Sequence, residues 1–199
     1  MIKVALEGEA QLSDEELRAI VEVAHEHSAR VSAHVIYSAD LKKALEAGAD
    51  DMAHMVVDNL PDALIDQMIA RNVYVVPTLA IMSHFGIQGS NGSNLRRFVA
   101  AGGKVAVGTD YNNFDLPEDM LLLEMEMMQA AGMTPMQVIV AATKNGAHVC
   151  NLEDDLGTLE AGKIADVMVV GGDPLRDLKD LADIRMVIHD GVVIRNEIH

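Results

Sequence analysis

The chain holds one cysteine, five prolines, no tryptophan, and 15 basic residues against 31 acidic ones. A single Cys150 excludes an internal disulfide. Within the apolar run AHVCNL it reads as a small buried residue rather than a nucleophile. Aromatic residues make up 3% of the chain while half of it is apolar, so the core must be built from Val, Ile, Leu, Ala and Met. A formal charge of −16 with no basic stripe disfavours binding to nucleic acid, and the acidic surface reads as a solubility feature. No apolar stretch is long enough to span a membrane. The first ten residues, MIKVALEGEA, lack the layout of a signal peptide, so a cytoplasmic protein is expected. The 199 residues suffice for one good core and a small appended domain.

Short apolar runs alternate with helical patterns through the first three quarters of the chain. Strands are expected at residues 2–6, 31–34, the run ending at 54, 73–76 and 104–107, with helices at 14–29, 41–47, 61–71 and 94–101. Ser13 and Glu16 form a capping box for the first helix, whose Leu17, Ile20, Val21 and Ala24 share a face. Gly48 is a natural left-handed terminator for the second. A polar loop is expected over 83–93. Two helices follow the fifth strand, the second opened by Thr134, Pro135 and Gln137. Six methionines (Met120, Met125, Met127, Met128, Met133, Met136) crowd this region and read mainly as core or subunit packing. Beyond Leu152, residues 165–170, 184–189 and 192–195 look like antiparallel strands, the last two joined by an Asp190-Gly191 turn. The expected fold is α/β: about five β/α units in a partial (half) TIM-like barrel over residues 1–152, then a small β-sandwich remnant over 153–199.

Three potential metal ligands end three of the apolar runs. VSAH ends in His34, DMAH in His54 and VAVGTD in Asp110. The C-terminal ends of parallel strands are where α/β folds build their sites, so these side chains can converge from distant positions. Two imidazoles and a carboxylate suit zinc or a similar divalent ion. That points to a metal-dependent hydrolase using a metal-activated water, with Asp110 as ligand or proton acceptor. Tyr37, three residues past His34, and Thr78, after Pro77, are expected to line the pocket mouth. His25 and His27 spell HxH, but on a helix neighbours two apart point about 200° from each other, so they are read as a solvated face. His84 is placed on the loop surface, and His148, His189 and His199 as structural or exposed. Asp166 is expected to serve the sandwich.

Four segments, LKKALEAGADDMAH, VVPTL, VAVGTD and DLGTLEAGKIADVMVVGGDPL, resemble the amidohydrolase superfamily, in its imidazolonepropionase-like and Xaa-Pro-dipeptidase-like branch. The resemblance covers essentially the whole chain but only the C-terminal half of a family member. The last segment resembles the family's return from the barrel into a β-sandwich. By this resemblance Lys3 falls where the family often carries a carboxylated, metal-bridging lysine on the fourth barrel strand. His34, His54 and Asp110 match the fifth-, sixth- and eighth-strand ligands. The family's first-strand histidine pair would precede Lys3 and is missing here, which implies one ion per chain, held by His34 and His54 with a possible Lys3 carbamate. The substrate class implied is a small amide, ester or lactone, with aryl esters and phosphotriesters as promiscuous substrates. A homo-oligomer is expected to cover the open barrel edges. Two other readings stay open: a non-catalytic subunit or remnant whose partner chain supplies the missing strands, and a small-ligand binding protein.

Overall fold

The computed structural model describes residues 1–7, 12–87, 89–111 and 119–198. Five strands, β1 (Ile2–Ala5), β2 (Val31–His34), β3 (Asp51–Ala53), β4 (Tyr74–Val76) and β5 (Lys104–Val105), form one parallel sheet in chain order. The connections carry α1 (Asp14–Glu26), α2 (Ser38–Ala47), α3 (Asp62–Ala70), and the pair α4 (Leu79–His84) and α5 (Asn91–Ala100). After β5 come α6 (Met120–Ala130), α7 (Pro135–Ala142) and α8 (Lys144–Val149). A separate antiparallel sheet holds β6 (Val167–Val170), β7 (Ile184–His189) and β8 (Val192–Asn196). The 3-10 turn Leu178–Ala182 precedes β7, and its Leu178 is buried in the main core.

Side-chain alternation along the strands explains the layering. Val4, Ala33, Met52, Val75 and Val105 stand in matched register on successive strands. All five are buried with Leu17, Val21, Leu41, Leu45, Ile65, Met68, Leu95 and Phe98 from the helices. Each fully buried Leu or Val contributes roughly 1.5–3 kcal/mol. Aliphatic and thioether side chains thus do build this core, and Met125, Met128 and Met133 are buried in it; Met120 is buried in a smaller cluster with Ala80, Ile81 and Met82, whereas Met136 is exposed. The opposite register row, Lys3, Ser32, Asp51, Tyr74 and Lys104, faces the other side of the sheet.

Several local features differ from the expectations. Apolar residues Leu79 to Met82 are all buried, so the region beyond Pro77 has no polar face to mark it as helical, yet it forms α4. Helix α5 starts three residues earlier than expected, inside the expected loop 83–93. Strand β5 stops at Val105 because the Val107 N–H turns away to Ala141 O at 3.1 Å. The helical pattern after Thr134 is broken at Thr143 (φ −117°, ψ −86°), giving α7 and α8 instead of one helix. Cys150 is exposed rather than buried. It follows Val149, which alone of α8 is buried, against Tyr74 and Ala106, and lies about 100° further round.

Asn94 ties the loop after β3 into place. Fully buried on α5, it donates to the carbonyls of Val56 and Asp58 and accepts from the Leu60 N–H. The backbone just beyond His54 is therefore fixed by a satisfied polar group, which keeps the strand end rigid.

Candidate functional site

β2 and β3 end at the same rim of the sheet, with His34 in register with Ala53 and His54 the next residue. The two imidazoles meet there. Their centroids are 4.4 Å apart with the rings crossed at 83°, and His54 Nε2 lies 2.8 Å from His34 Nδ1. On its other side His54 Nδ1 is 2.5 Å from Thr78 Oγ1. Thr78 comes from the end of β4, so three consecutive strand ends contribute one contact chain. His54 is 4% exposed. Its pKa is pushed down to about 4, first by burial and next by His34; Lys3 adds to this, while Asp110 and Glu7 oppose it. The ring is therefore neutral near pH 7, the form that ligates a cation.

The backbone is unusual at the same places. His54 (φ 75°), Thr78 (φ 50°) and Asp110 (φ 51°) all adopt left-handed conformations that non-glycine residues rarely take. Such strain persists only when surrounding contacts hold it, and it concentrates at functional sites. The glycine of VAVGTD is explained by close approach: a Cβ at Gly108 would sit 2.4 Å from Val76 Cγ1. It lets the segment carrying Asp110 run against β4.

The expected site residues fall into two groups. His54 touches both His34 and Thr78. Asp110 Oδ2 stands 3.9 Å from His54 Nε2, at the mouth and 43% exposed. Lys3 is exposed, on the same face of the sheet as His34 but two residues below it along β1, and it acts on His54 through its charge alone. Tyr37 opens α2 and is 55% exposed, and its side chain makes no hydrogen bond to either imidazole. Among the described residues, no three His, Cys, Asp or Glu side chains meet closely enough to grip an ion as they stand.

The donor set nevertheless fits a divalent cation. Two nitrogens bound to one tetrahedral zinc lie roughly 3.3 Å apart, from Zn–N bonds of about 2.0–2.1 Å, and His34 Nδ1 and His54 Nε2 are within about half an ångström of that spacing. The far nitrogen of His34, Nε2, is buried and stands 3.1 Å from Glu7 Oε1 without hydrogen-bonding geometry. Thr78 holds the remote nitrogen of His54, as outer partners of metal-bound histidines commonly do.

Two acids escaped sequence reading. Glu7 Oε1 lies 3.1 Å from His34 Nε2; its position just past the end of β1 parallels that of Asp110 past β5, a signal available in the sequence. Glu124, a lone buried acid in MLLLEMEMMQA, reaches the start of α4. The other histidines do structural work. His25 Nε2 pairs with Asp50 Oδ2 at 2.9 Å, so it is a partnered residue rather than only a solvated one, and His27 is the C-cap of α1. His84 ends α4 with its ring against Phe85. His148 stacks on Tyr74 and pairs with Glu153 at 2.7 Å. His189 and the Asp190 N–H both bond Asp166 in the second sheet. His199 lies outside the described residues.

Comparison with known proteins identifies the family. The sequence model of the amidohydrolase family matches residues 1–194, and the chain belongs to that family. It is 30% identical to ochratoxinase of Aspergillus niger over 90% of this chain and 40% of that protein. It is 31% identical to imidazolonepropionase of Deinococcus deserti over 89% of this chain and 44% of that one. Among solved structures, a Xaa-Pro dipeptidase with bound methionine in its active site superposes with a TM-score of 0.85 at 26% identity, across 98% of this chain and 54% of that one. The A. niger ochratoxinase structure superposes at 0.87, also at 26% identity, across 98% and 50%. The chain spans about half the length of the relatives it matches.

Proposed function

We propose that this chain is a half TIM-like barrel carrying the metal site of a hydrolase that acts on a small amide, ester or lactone. The observation that carries the proposal is the meeting of His34 and His54 at adjacent strand ends, with Thr78 holding the far nitrogen of His54. Strand order one to five, with the intervening helices against one face, suits a barrel wall; a doubly wound sheet would reverse order and cover both faces. Residues 153–199 are then the sandwich remnant.

In this reading His34 and His54 hold one zinc or similar ion, with a carbamate on Lys3 as a further oxygen donor. When bound there, such an ion would supply an acidified water and polarise the electrophilic oxygen. Asp110, 3.9 Å from His54 and open to solvent, accepts the proton and returns it to the leaving group. Thr78 keeps His54 correctly turned, while burial and His34 keep its ring neutral. Tyr37, exposed at the rim, contacts substrate. His34→Ala and Asp110→Asn, assayed on aryl esters and dipeptides with zinc supplied, test this. Asp110→Asn should lower kcat roughly 10²–10⁴-fold, the contribution of a general base. Unchanged turnover in both variants would end the catalytic assignment.

The open edges point to self-association. Among the described residues β1 pairs only with β2, and β5 only with β4. Ile2 is 42% and Val23 54% exposed beside the β1 edge. Every residue of β8 is exposed, including Val192, Val193 and Ile194. Unpaired strand edges with apolar neighbours seek partners, and a second copy is the partner this reading assigns. Sedimentation should find a dimer or larger assembly; a well-folded monomer at working concentration would contradict it.

A further inference from the structure

Glu124 is a fully buried carboxylic acid that the chemistry above does not use. Among the described residues no cation pairs with it. The groups that act on it are backbone N–H groups of Thr78, Leu79 and Ala80. Ala80 N–H donates to Oε2 at 2.7 Å, while Oε1 has no partner in hydrogen-bonding geometry. Burying a carboxyl without a counter-charge is costly, and burial pushes its pKa up to about 7. A leucine here would pack against α4 with no such cost, so the acid calls for a reason.

The turn it grips supplies one. Thr78 is held at φ 50°, ψ 42°, a conformation that disfavours a β-branched residue. No side chain caps α4 from within its own turn. Glu124 is the polar side chain that fastens this backbone, reaching across from α6. From that conformation Thr78 Oγ1 meets His54 Nδ1 at 2.5 Å. A continuous path thus runs from α6 through the start of α4 to the imidazole.

We propose that Glu124 is a positioning residue for His54, acting through the backbone turn at Thr78. This rests on reading His34 and His54 as the metal site, but its test does not depend on metal. The ring ¹⁵N resonances of His54 are recorded in metal-free protein for wild type, T78V, E124L, E124Q and the double variant T78V/E124L. T78V should move the Nδ1 resonance. E124L should move it the same way, and the double variant no further, because both substitutions cut one path. E124Q, which keeps an oxygen for Ala80 N–H, should retain the wild-type position. If E124L does not fold, E124D, one methylene shorter, takes its place with the same expectation. Met128→Ala, which damages the buried face of α6 elsewhere, should lower Tm and leave His54 unmoved.

Zinc affinity should follow the resonances. T78V and E124L should each weaken it roughly tenfold, the lower end for loss of an outer partner, and the pair together no more than that. His54 resonances that stay at wild-type positions in E124L, or that move equally in M128A, would overturn the proposal. So would losses in T78V and E124L that multiply in the double variant. If wild type binds no zinc, or H34A binds it as tightly, the metal reading fails instead, and the metal-free resonances still decide the role of Glu124.

Discussion

Replacing His54 with alanine is expected to weaken zinc binding by more than about 100-fold, because loss of an outer partner alone costs 10–100-fold. Hydrolysis of aryl esters should fall with it. The residue is 4% exposed and contacts both His34 and Thr78, so its removal also orphans the Thr78 hydroxyl. An unpaired buried polar group costs about 1–3 kcal/mol, and a moderate loss of stability should accompany the loss of metal. The two effects separate by competition titration against a chelator and by denaturant unfolding of the metal-free protein. Zinc affinity within tenfold of wild type would remove His54 from the site.

The second large effect is a pair of opposed pH dependences that hide each other in the wild-type protein. Glu124 has its carboxyl raised from 4.5 to about 7 by burial. Its folded state holds a proton that the unfolded state releases, so its stabilising contribution is complete below pH 4.5 and is lost as pH rises through about 7. His54 has its imidazole lowered from 6.5 to about 4, first by burial and then by His34. Its contribution is complete above pH 6.5 and is lost as pH falls through about 4. Each amounts to about 3 kcal/mol at 1.36 kcal/mol per pKa unit, and over the shared window the two slopes oppose. In E124Q, stability relative to wild type should therefore climb by about 3 kcal/mol between pH 4.5 and 7. In metal-free His54→Ala, stability relative to wild type should instead drop by a similar amount between pH 4 and 6.5. Denaturant unfolding across pH 4–8 reads both. Differences from wild type that stay level with pH in both variants would mean that neither group is held in its buried, uncharged form.

Much of the fold was legible because its signals are local. The capping boxes at Ser13 and Thr134 and the left-handed Gly48 appear as read, since each depends on residues within one turn. Boundaries went astray where tertiary contacts decide. Helix α4 hides in an apolar run that is buried whole. β5 ends early because Val107 turns to Ala141, a partner 34 positions away that no strand pattern encodes. Cys150 was misplaced because an apolar string cannot say which residue of a short helix faces in.

The site divides the same way. His34 and His54 could be found because strand ends at one rim are a topological consequence of β/α alternation. Thr78 was expected to line the pocket mouth; it is instead 2% exposed behind His54, a placement that needs the left-handed turn. Glu7 and Glu124 were missed for different reasons. Glu7 follows the β1 run as Asp110 follows the β5 run, a parallel that was passed over, and Glu124 sits among methionines where helical periodicity predicts only packing.

The most direct test is X-ray absorption at the zinc edge, on wild type loaded with one equivalent of zinc and freed of excess by gel filtration. About one retained ion per chain, with two imidazole nitrogens at roughly 2.0–2.1 Å and oxygen completing the shell, is the predicted result, and one imidazole should disappear in His34→Ala. Zinc lost on the column, or an imidazole count identical in wild type, His34→Ala and His54→Ala, would contradict a metal centre at the ends of β2 and β3.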